Sequence, residues 1–321
     1  MDSFSDLTPH RFLPALEAAI GTELTALARP FRSYINRVYE VQAEDGTPYI
    51  AKFYRPGRWS PGALQDEHDF LADCAEIDIP VVCPISLQNG RTLAHLGRIS
   101  FAVFPKKAGR RFDIEDEESW RRVGVLLGRL HNAGQKRPAP ERQVLLPGTT
   151  TAAYARYLAA EAVTPTYRDT YRDICDRIID ALAPRFEDLE MIRIHGDFHA
   201  GNILNRPDDG LMVIDFDDMM NGVPVQDFWL LLPDRYPASD RFLQLLLSGY
   251  RRFRDADHRW AFLIEGLRAM RMIYFTAWCA MQRADARFQA EYPDWGGDRF
   301  WAQEIGDLRA QYAFMMAALS P

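Results

Sequence analysis

Residues 193–218 read RIHGDFHAGNILNRPDDGLMVIDFDD, and this stretch leaves the chain few ways to fold. Residues 203–206 and 211–214 are short β-prone runs on either side of Pro-Asp-Asp-Gly, so the spacing predicts an antiparallel hairpin. The symmetric register pairs 203 with 214 and 206 with 211, and sets Asn202 opposite Asp215 at the open end. Directly opposed residues lie roughly 4.5–5.5 Å apart at Cα, so two oxygen-bearing side chains converge there. Such donors suit Mg²⁺, which takes one or two protein groups and completes its shell with water and phosphate. Asp197 stands five residues before Asn202. That is the spacing in which an aspartate accepts a substrate hydroxyl's proton while the asparagine holds metal. A lone Asp-x4-Asn is a common accident and Asp-Asp-Gly is often only a turn. The weight comes from His195, Asp197, Asn202 and Asp215 following one another between apparent strands, downstream of a lysine-bearing strand.

The preceding two hundred residues change character once. Residues 9–20 carry Phe12, Leu16, Ala19 and Ile20 at helical spacing that stops at Gly21. Runs at 37–43 and 47–54 flank Glu-Asp-Gly and read as a hairpin with Lys52 in its second strand. Residues 61–76 read as a helix with Pro61 in its first turn. Glu67 falls in helical step with Leu64, His68 and Leu71, on the apolar stripe, where a carboxylate needs a partner. A strand lysine that meets nucleotide phosphates and pairs with a helix glutamate would supply one. That makes Lys52 and Glu67 the expected pair, with Asp66 the rival if the helix is rotated. Residues 79–87 and 97–105 read as further strands, so the first 104 residues form a sheet with helices. From 105 to 321 helices dominate. One spans 117–134, with Trp120, Val123, Leu127 and Leu130 in a stripe and Gly124 and Gly128 permitting close packing. Residues 135–148 read as a proline- and charge-rich connection.

Composition narrows the function. At 321 residues and 47% hydrophobic the chain can bury a sizeable core. A formal charge of −7 gives no basic field for nucleic acid. The four cysteines are far apart, without a C-x-x-C pair, which argues against structural zinc or a disulfide framework. No signal-like N-terminus and no run of about 18 apolar residues is present. The expectation is a cytoplasmic monomer that engages neither membrane nor nucleic acid.

HGDFHAGNIL followed by VIDFDD resembles the catalytic and metal-binding segments of the aminoglycoside phosphotransferase and choline kinase group, relatives of protein kinases. SYINRVYEV, AKFYRPGRW, DEHDFL, FAVFP, LGRLH, NGVPVQDFW and LRAMRMIYFTAW extend the similarity over nearly the whole chain, toward bacterial serine/threonine protein kinases with this fold. The resemblance implies an α+β, bilobal protein-kinase-like architecture, with a small sheet-containing N-lobe (1–104) and a mainly helical C-lobe (105–321). It implies Asp197 as proton acceptor, Asn202 and Asp215 as Mg²⁺ ligands, and His195 and Asp227 as supports of the catalytic loop. Ser33, Lys52 and Glu67 would serve ATP, and Phe104, Pro105 and Lys106 would form the hinge that receives adenine. The implied reaction is transfer of the ATP γ-phosphoryl group to serine or threonine hydroxyls of proteins, the chain itself included, in bacterial stress response.

Some features depart from that pattern. RSYINRV lacks the G-x-G-x-x-G of protein kinases and offers backbone amides, Ser33, Asn36 and Arg37 instead. Only FDDMMNGVPVQ separates Asp215 from Asp227, so the long peptide-seating activation segment is missing, and His-Gly-Asp lacks the arginine of H-R-D. The alternative is a small-molecule kinase of the aminoglycoside, choline or homoserine type. In that case Tyr274, Phe275 and Trp278 would line a cationic pocket, with Asp217 and Asp218 attracting the charge. A catalytically dead nucleotide-binding module would need a lesion at Lys52, Asp197, Asn202 or Asp215, and all four are intact. His131 reads as a packed helix residue, and His199 stays open between packing and acid–base work.

Overall fold

The structure, a computed structural model, describes residues 4, 7–31, 33, 35–206 and 210–319, with only the backbone of 286 and 287. The chain groups into two compact units. One holds the residues up to 113 with 133–142 and 200–219; the other holds 114–132, 143–199 and the residues from 220 onward. The units interleave along the sequence and do not follow a single boundary after residue 104, because residues 133–142 and 200–219 pack with the N-terminal segment.

The first unit opens with α1 (Pro9–Ile20), closed by Gly21, whose φ of 71° provides a left-handed cap that donates to Glu17 O. Strands β1 (Leu24–Pro30), β2 (Arg37–Ala43) and β3 (Pro48–Phe53) follow, then α2 (Pro61–Glu76), β4 (Ala94–Leu96) and β5 (Ile99–Pro105). They form a five-stranded antiparallel sheet in the order β1-β2-β3-β5-β4. The pleat sorts β3 by face. Ala51 and Phe53 join Phe12, Leu16, Val41, Phe101 and Val103 in the core beneath α1, while Ile50 and Lys52 line a cavity on the other face. Helix α2 begins with Pro61 in its first turn, as expected, and Ser60 Oγ caps it by accepting from Ala63 N–H.

Residues 79–87 are not a strand. Pro80 and Pro84 cannot donate to a ladder, and the segment is tied instead by single bonds, Ile85 N–H to Val103 O at 2.8 Å and Val213 N–H to Pro80 O at 3.0 Å. The pattern reading also overlooked β1 and the three-residue β4. The short β6 (Arg110–Arg111) ends this stretch of the unit.

Helix α3 (Glu117–Gln135), whose residues 117–132 belong to the second unit, buries Trp120, Val123, Leu127 and Leu130. Helices α4 (Ala152–Glu161) and α5 (Arg168–Leu182) lead to β7 (Ile192–Ile194). The chain returns to the first unit for β8 (Ile203–Arg206) and β9 (Gly210–Val213), which pair as Ile203↔Val213 and Arg206↔Gly210 beside β6. The predicted hairpin exists, but its register is one residue tighter. Gly210, at φ 77°, enters the ladder instead of the turn. Residues 207–209, the Pro-Asp-Asp of the predicted turn, lie outside the described residues. Asn202 consequently faces Ile214, whose N–H donates to Asn202 O at 3.0 Å, and Asp215 lies one residue further along.

The second unit resumes with β10 (Met220–Gly222), antiparallel to β7. Helices α6 (Gln226–Trp229), α7 (Asp240–Tyr250), α8 (Trp260–Gln282), α9 (Ala286–Glu291) and α10 (Asp298–Leu319) complete it. Helices α3 and α7 touch backbone to backbone. A Cβ on Gly124 would stand 2.0 Å from Leu246 O, and one on Gly249 2.0 Å from Arg121 O. Among the described residues, no helix is long and apolar enough to cross a membrane.

Candidate active site

The cavity of the first unit has a volume of about 640 Å³, within the usual range for small-molecule sites. Ser33, Lys52, Phe104, Pro105, Lys106 and Asp215 all line it. The Lys106 N–H donates to Pro48 O at 3.3 Å, and its ammonium reaches Glu40 at 2.7 Å.

Lys52 and Glu67 meet, Nζ to Oε1, at 3.2 Å, and the ammonium also lies 3.1 Å from Asp217 Oδ1 and 4.9 Å from the centre of the Tyr54 ring. Glu67, 2% exposed, accepts a second bond from Arg142 Nη2 at 2.9 Å. Arg142 in turn donates to Ala63 O and Asp217 O, each at 2.7 Å. Asp217 accepts from Asn36 Nδ2 at 3.0 Å and Arg58 Nη1 at 2.5 Å, and Arg58 Nη2 reaches Asp218 Oδ1 at 2.6 Å. Three cations thus alternate with three carboxylates, which is how buried charge is tolerated. Burial works against the charge on Lys52, but Asp217 and Glu67 outweigh it and lift its pKa well above the ordinary lysine value. Burial likewise pushes the Asp217 carboxyl up, and Lys52, Arg58 and Arg142 overcome this to hold it well below the usual carboxylate range. The rival Asp66 accepts instead from Glu141 N–H at 2.8 Å. His68, next to Glu67, bonds Tyr54 OH and Thr92 Oγ1, and burial lowers its pKa to about 4, so it stays neutral.

Two expectations change here. Asp217 and Asp218 are matched by Lys52 and Arg58 rather than presented to a cationic ligand, and the Asn36 amide is committed to Asp217. Arg142, inside the segment read as a mere connection, is 3% exposed and ties α2 to the Asp217 loop.

Asn202, 8% exposed, ends a 3₁₀ turn, and Asp215 borders the cavity with its backbone in the left-handed region, φ 64° and ψ 66°. Their backbones are linked through the Ile214 N–H bond to Asn202 O. An amide and a carboxylate oxygen are the hard donors that Mg²⁺ takes. Among the described residues, no group of three or more His, Cys, Asp or Glu side chains could hold a metal ion. An ion held by Asn202 and Asp215 would complete its shell with phosphate and water.

In the second unit β7 delivers His195, Gly196 and Asp197. Asp227, fully buried, accepts from His195 N–H at 2.7 Å and Gly196 N–H at 2.8 Å. Its Oδ2 also meets His131 Nε2 at 3.2 Å, while His131 Nδ1 faces Tyr250 OH at 3.1 Å. Burial lowers the His131 pKa, so the neutral ring with its proton on Nε2 satisfies both contacts. His195 Nδ1 accepts from Asp197 N–H at 3.3 Å, and Gln226 Nε2 donates to Gly196 O at 3.3 Å. Every residue of His-Gly-Asp is thereby held.

The Asp197 carboxylate meets Arg271 Nη2 at 2.7 Å, and His199 Nε2 lies 3.6 Å away. Burial pushes this carboxyl up, but His199 and Arg271 beside it win and hold it at about 2, ionised at neutral pH. Arg271 was not anticipated. The signal was present, since an arginine within the apolar run MRMIYFTAW invites the reasoning applied to Glu67. Phe275 and Trp278 do not join Tyr274 in one pocket. Phe275 is 52% exposed and stacks on Trp278 at 5.6 Å, whereas Tyr274 packs against Tyr154 and under Arg271.

The sequence profile of the phosphotransferase enzyme family, APH, matches residues 28–263. The chain belongs to that family. Stress response kinase A of Escherichia coli (strain K12) is 34% identical to this phosphotransferase over 311 residues, 96% of this chain and 94% of the relative. The serine/threonine protein kinase RdoA of Salmonella typhimurium is 33% identical over 308 residues, 94% and 92% of the two chains. The fold is similar to amicoumacin kinase hAmiN, solved with AMP-PNP, Ca²⁺ and Ami. The TM-score is 0.72, with 18% identity over 95% of this chain and 94% of that one. A microcompartment-associated aminopropanol kinase gives a TM-score of 0.69 at 19% identity, covering 96% and 97%. The small antiparallel sheet and the mainly helical second unit are those of a kinase-like phosphotransferase.

Proposed function

We propose that this phosphotransferase is an ATP- and Mg²⁺-dependent serine/threonine protein kinase, able to phosphorylate itself and acting in the cytoplasm as a monomer in stress response. The carrying observation is the Lys52–Glu67–Asp217 cluster on the wall of a cavity of about 640 Å³ that also has Asp215 on its wall. In this reading Phe104, Pro105 and Lys106 receive adenine through backbone groups, and Ser33 faces the phosphates. Lys52, held charged by Glu67 and Asp217, neutralises them. Asn202 and Asp215 would hold the metal, which supplies charge neutralisation on the phosphates when bound. Asp197, ionised and fixed through the Asp227 brace of its loop, orients the acceptor hydroxyl. The new bond joins the hydroxyl oxygen to the γ-phosphorus, the bond from that phosphorus to the β–γ bridging oxygen breaks, and ADP leaves. The hydroxyl proton passes by way of Asp197 to solvent. A protein acceptor is supported by full-length relatives at 33–34% identity, one of them named a serine/threonine protein kinase.

The test is incubation with γ-labelled ATP and Mg²⁺, wild type against Asp197→Asn, with mapping of labelled residues. Label on serine or threonine in the wild type alone is the expected result. Robust consumption of ATP with an aminoglycoside, choline or homoserine, and no label in protein, would overturn it in favour of a small-molecule kinase.

A further inference from the structure

Arg271 has no role among those assigned above, yet it is bonded to the group at their centre. From α8 its Nη2 donates to Asp197 Oδ1 at 2.7 Å, with both side chains 23% exposed. A guanidinium is a planar fork, always charged, so one such bond constrains the carboxylate in direction as well as in charge. Arg271 is itself constrained. Its guanidinium lies 5.1 Å from the centre of the Tyr274 ring, Tyr274 meets Tyr154 edge-on at 5.3 Å, and Tyr154 OH donates to Gln143 Oε1 at 2.8 Å. Arg271, Tyr274, Tyr154 and Gln143 border a cavity of about 20 Å³, room for one water. The side chain is packed in place rather than free to sweep through solvent.

We infer that Arg271 is a positioning residue for phosphoryl transfer, holding Asp197 in the orientation in which it meets the acceptor hydroxyl. The inference rests on the reading of Asp197 given above. The groups facing Asp197 are the Arg271 guanidinium from α8 and two imidazoles, His199 from its own loop and His195, whose Nδ1 accepts the Asp197 N–H. Arg271 differs from the two imidazoles in its planar fork of five N–H donors, which engages a carboxylate in a set direction. Misplacing a reacting group by about 1 Å costs on the order of 10²-fold in rate, which sets the scale of the effect.

The test measures transfer of labelled phosphate from Mg·ATP to the chain itself and to dephosphorylated casein, for wild type, Arg271→Met, Arg271→Lys, Asp197→Asn and the Asp197→Asn/Arg271→Met double variant. Urea unfolding of each variant serves as the folding control. Arg271→Met is expected to lower kcat by about 10²-fold with the KM for ATP nearly unchanged, the mark of an interaction used in the transition state. Arg271→Lys, with the charge but not the fork, should fall between; it also carries the test if the methionine variant does not fold. In the Asp197→Asn background, Arg271→Met should cost nothing more. Wild-type kcat in Arg271→Met or in Arg271→Lys while Asp197→Asn is inactive overturns this inference and leaves Asp197 standing, as does a full additional loss in the double variant. Full activity of Asp197→Asn overturns the Asp197 reading instead.

Discussion

Asp217→Asn preserves the shape of a side chain that is 9% exposed and removes the charge on which Lys52 at 3.1 Å, Arg58 at 2.5 Å and Asn36 at 3.0 Å converge. The amide oxygen still accepts one bond, but its NH₂ now faces a cation. Breaking a buried pair by removing one partner costs about 3–5 kcal/mol when the survivor is left alone. Here Lys52 retains Glu67 at 3.2 Å and Arg58 retains Asp218 at 2.6 Å, so the expected loss is about 2–3 kcal/mol. Urea unfolding, followed by fluorescence and circular dichroism together, measures it as a shift in midpoint at constant slope. Acid supplies a second readout. The folded-state pKa of Asp217 is depressed below its ordinary 3.8. Its contribution is therefore fully present above that value and is lost as pH falls from about 3.8 toward the lower folded-state value. The gap between wild type and variant should be constant from neutral pH to about 5 and narrow below 4. A gap under about 0.5 kcal/mol at pH 7, or one that widens on acidification, would refute the view that Asp217 anchors this cluster.

Lys52→Met should abolish labelled-phosphate transfer while the chain stays folded in urea unfolding, because Glu67 keeps Arg142 and Asp217 keeps Arg58. Asp227→Ala strands two backbone N–H groups and His131. At about 1–3 kcal/mol per unsatisfied group it should destabilise by roughly 3–9 kcal/mol, and Asp227→Asn by less. Gly124→Ala places a methyl 2.0 Å from Leu246 O and must push α3 and α7 away from each other, at a cost of about 1–3 kcal/mol or more. In calorimetry its melting temperature should fall. Gly306→Ala on α10, where a Cβ meets nothing within 4 Å, should leave it level or raise it slightly.

What the sequence disclosed and what it withheld divide along physical lines. Glu67 was legible because a carboxylate on an apolar helical stripe must be paired, and the glycines of α3 because small residues beside a buried stripe mark close approach. Asp217 was not. An acid in the run Asp215–Asp218 looks like any solvated surface cluster, and its partners come from residues 36, 52, 58 and 142, long-range neighbours that no local pattern announces. Arg142 was hidden by the prolines around it, which read as linker although the side chain is buried. The hairpin was found but its register slipped by one, since symmetric pairing assumed that Gly210 belonged to the turn. Residues 79–87 had the β-rich composition of a strand but lacked the donors, because two prolines interrupt the segment.

The left-handed backbone at Asp215 makes that position selective in two respects at once. A non-glycine residue at φ 64° costs roughly 1–2 kcal/mol unless it is asparagine or aspartate, which enter this region more readily. Alanine there deletes the carboxylate and twists the loop in the same stroke, so an alanine scan would overstate what the charge contributes. Asparagine alters the charge alone, and glycine relaxes the loop while deleting the side chain. Comparing the three separates what the carboxylate does from what the bend requires. It also explains in advance why few residue types can occupy this place, whatever hydroxyl the enzyme serves.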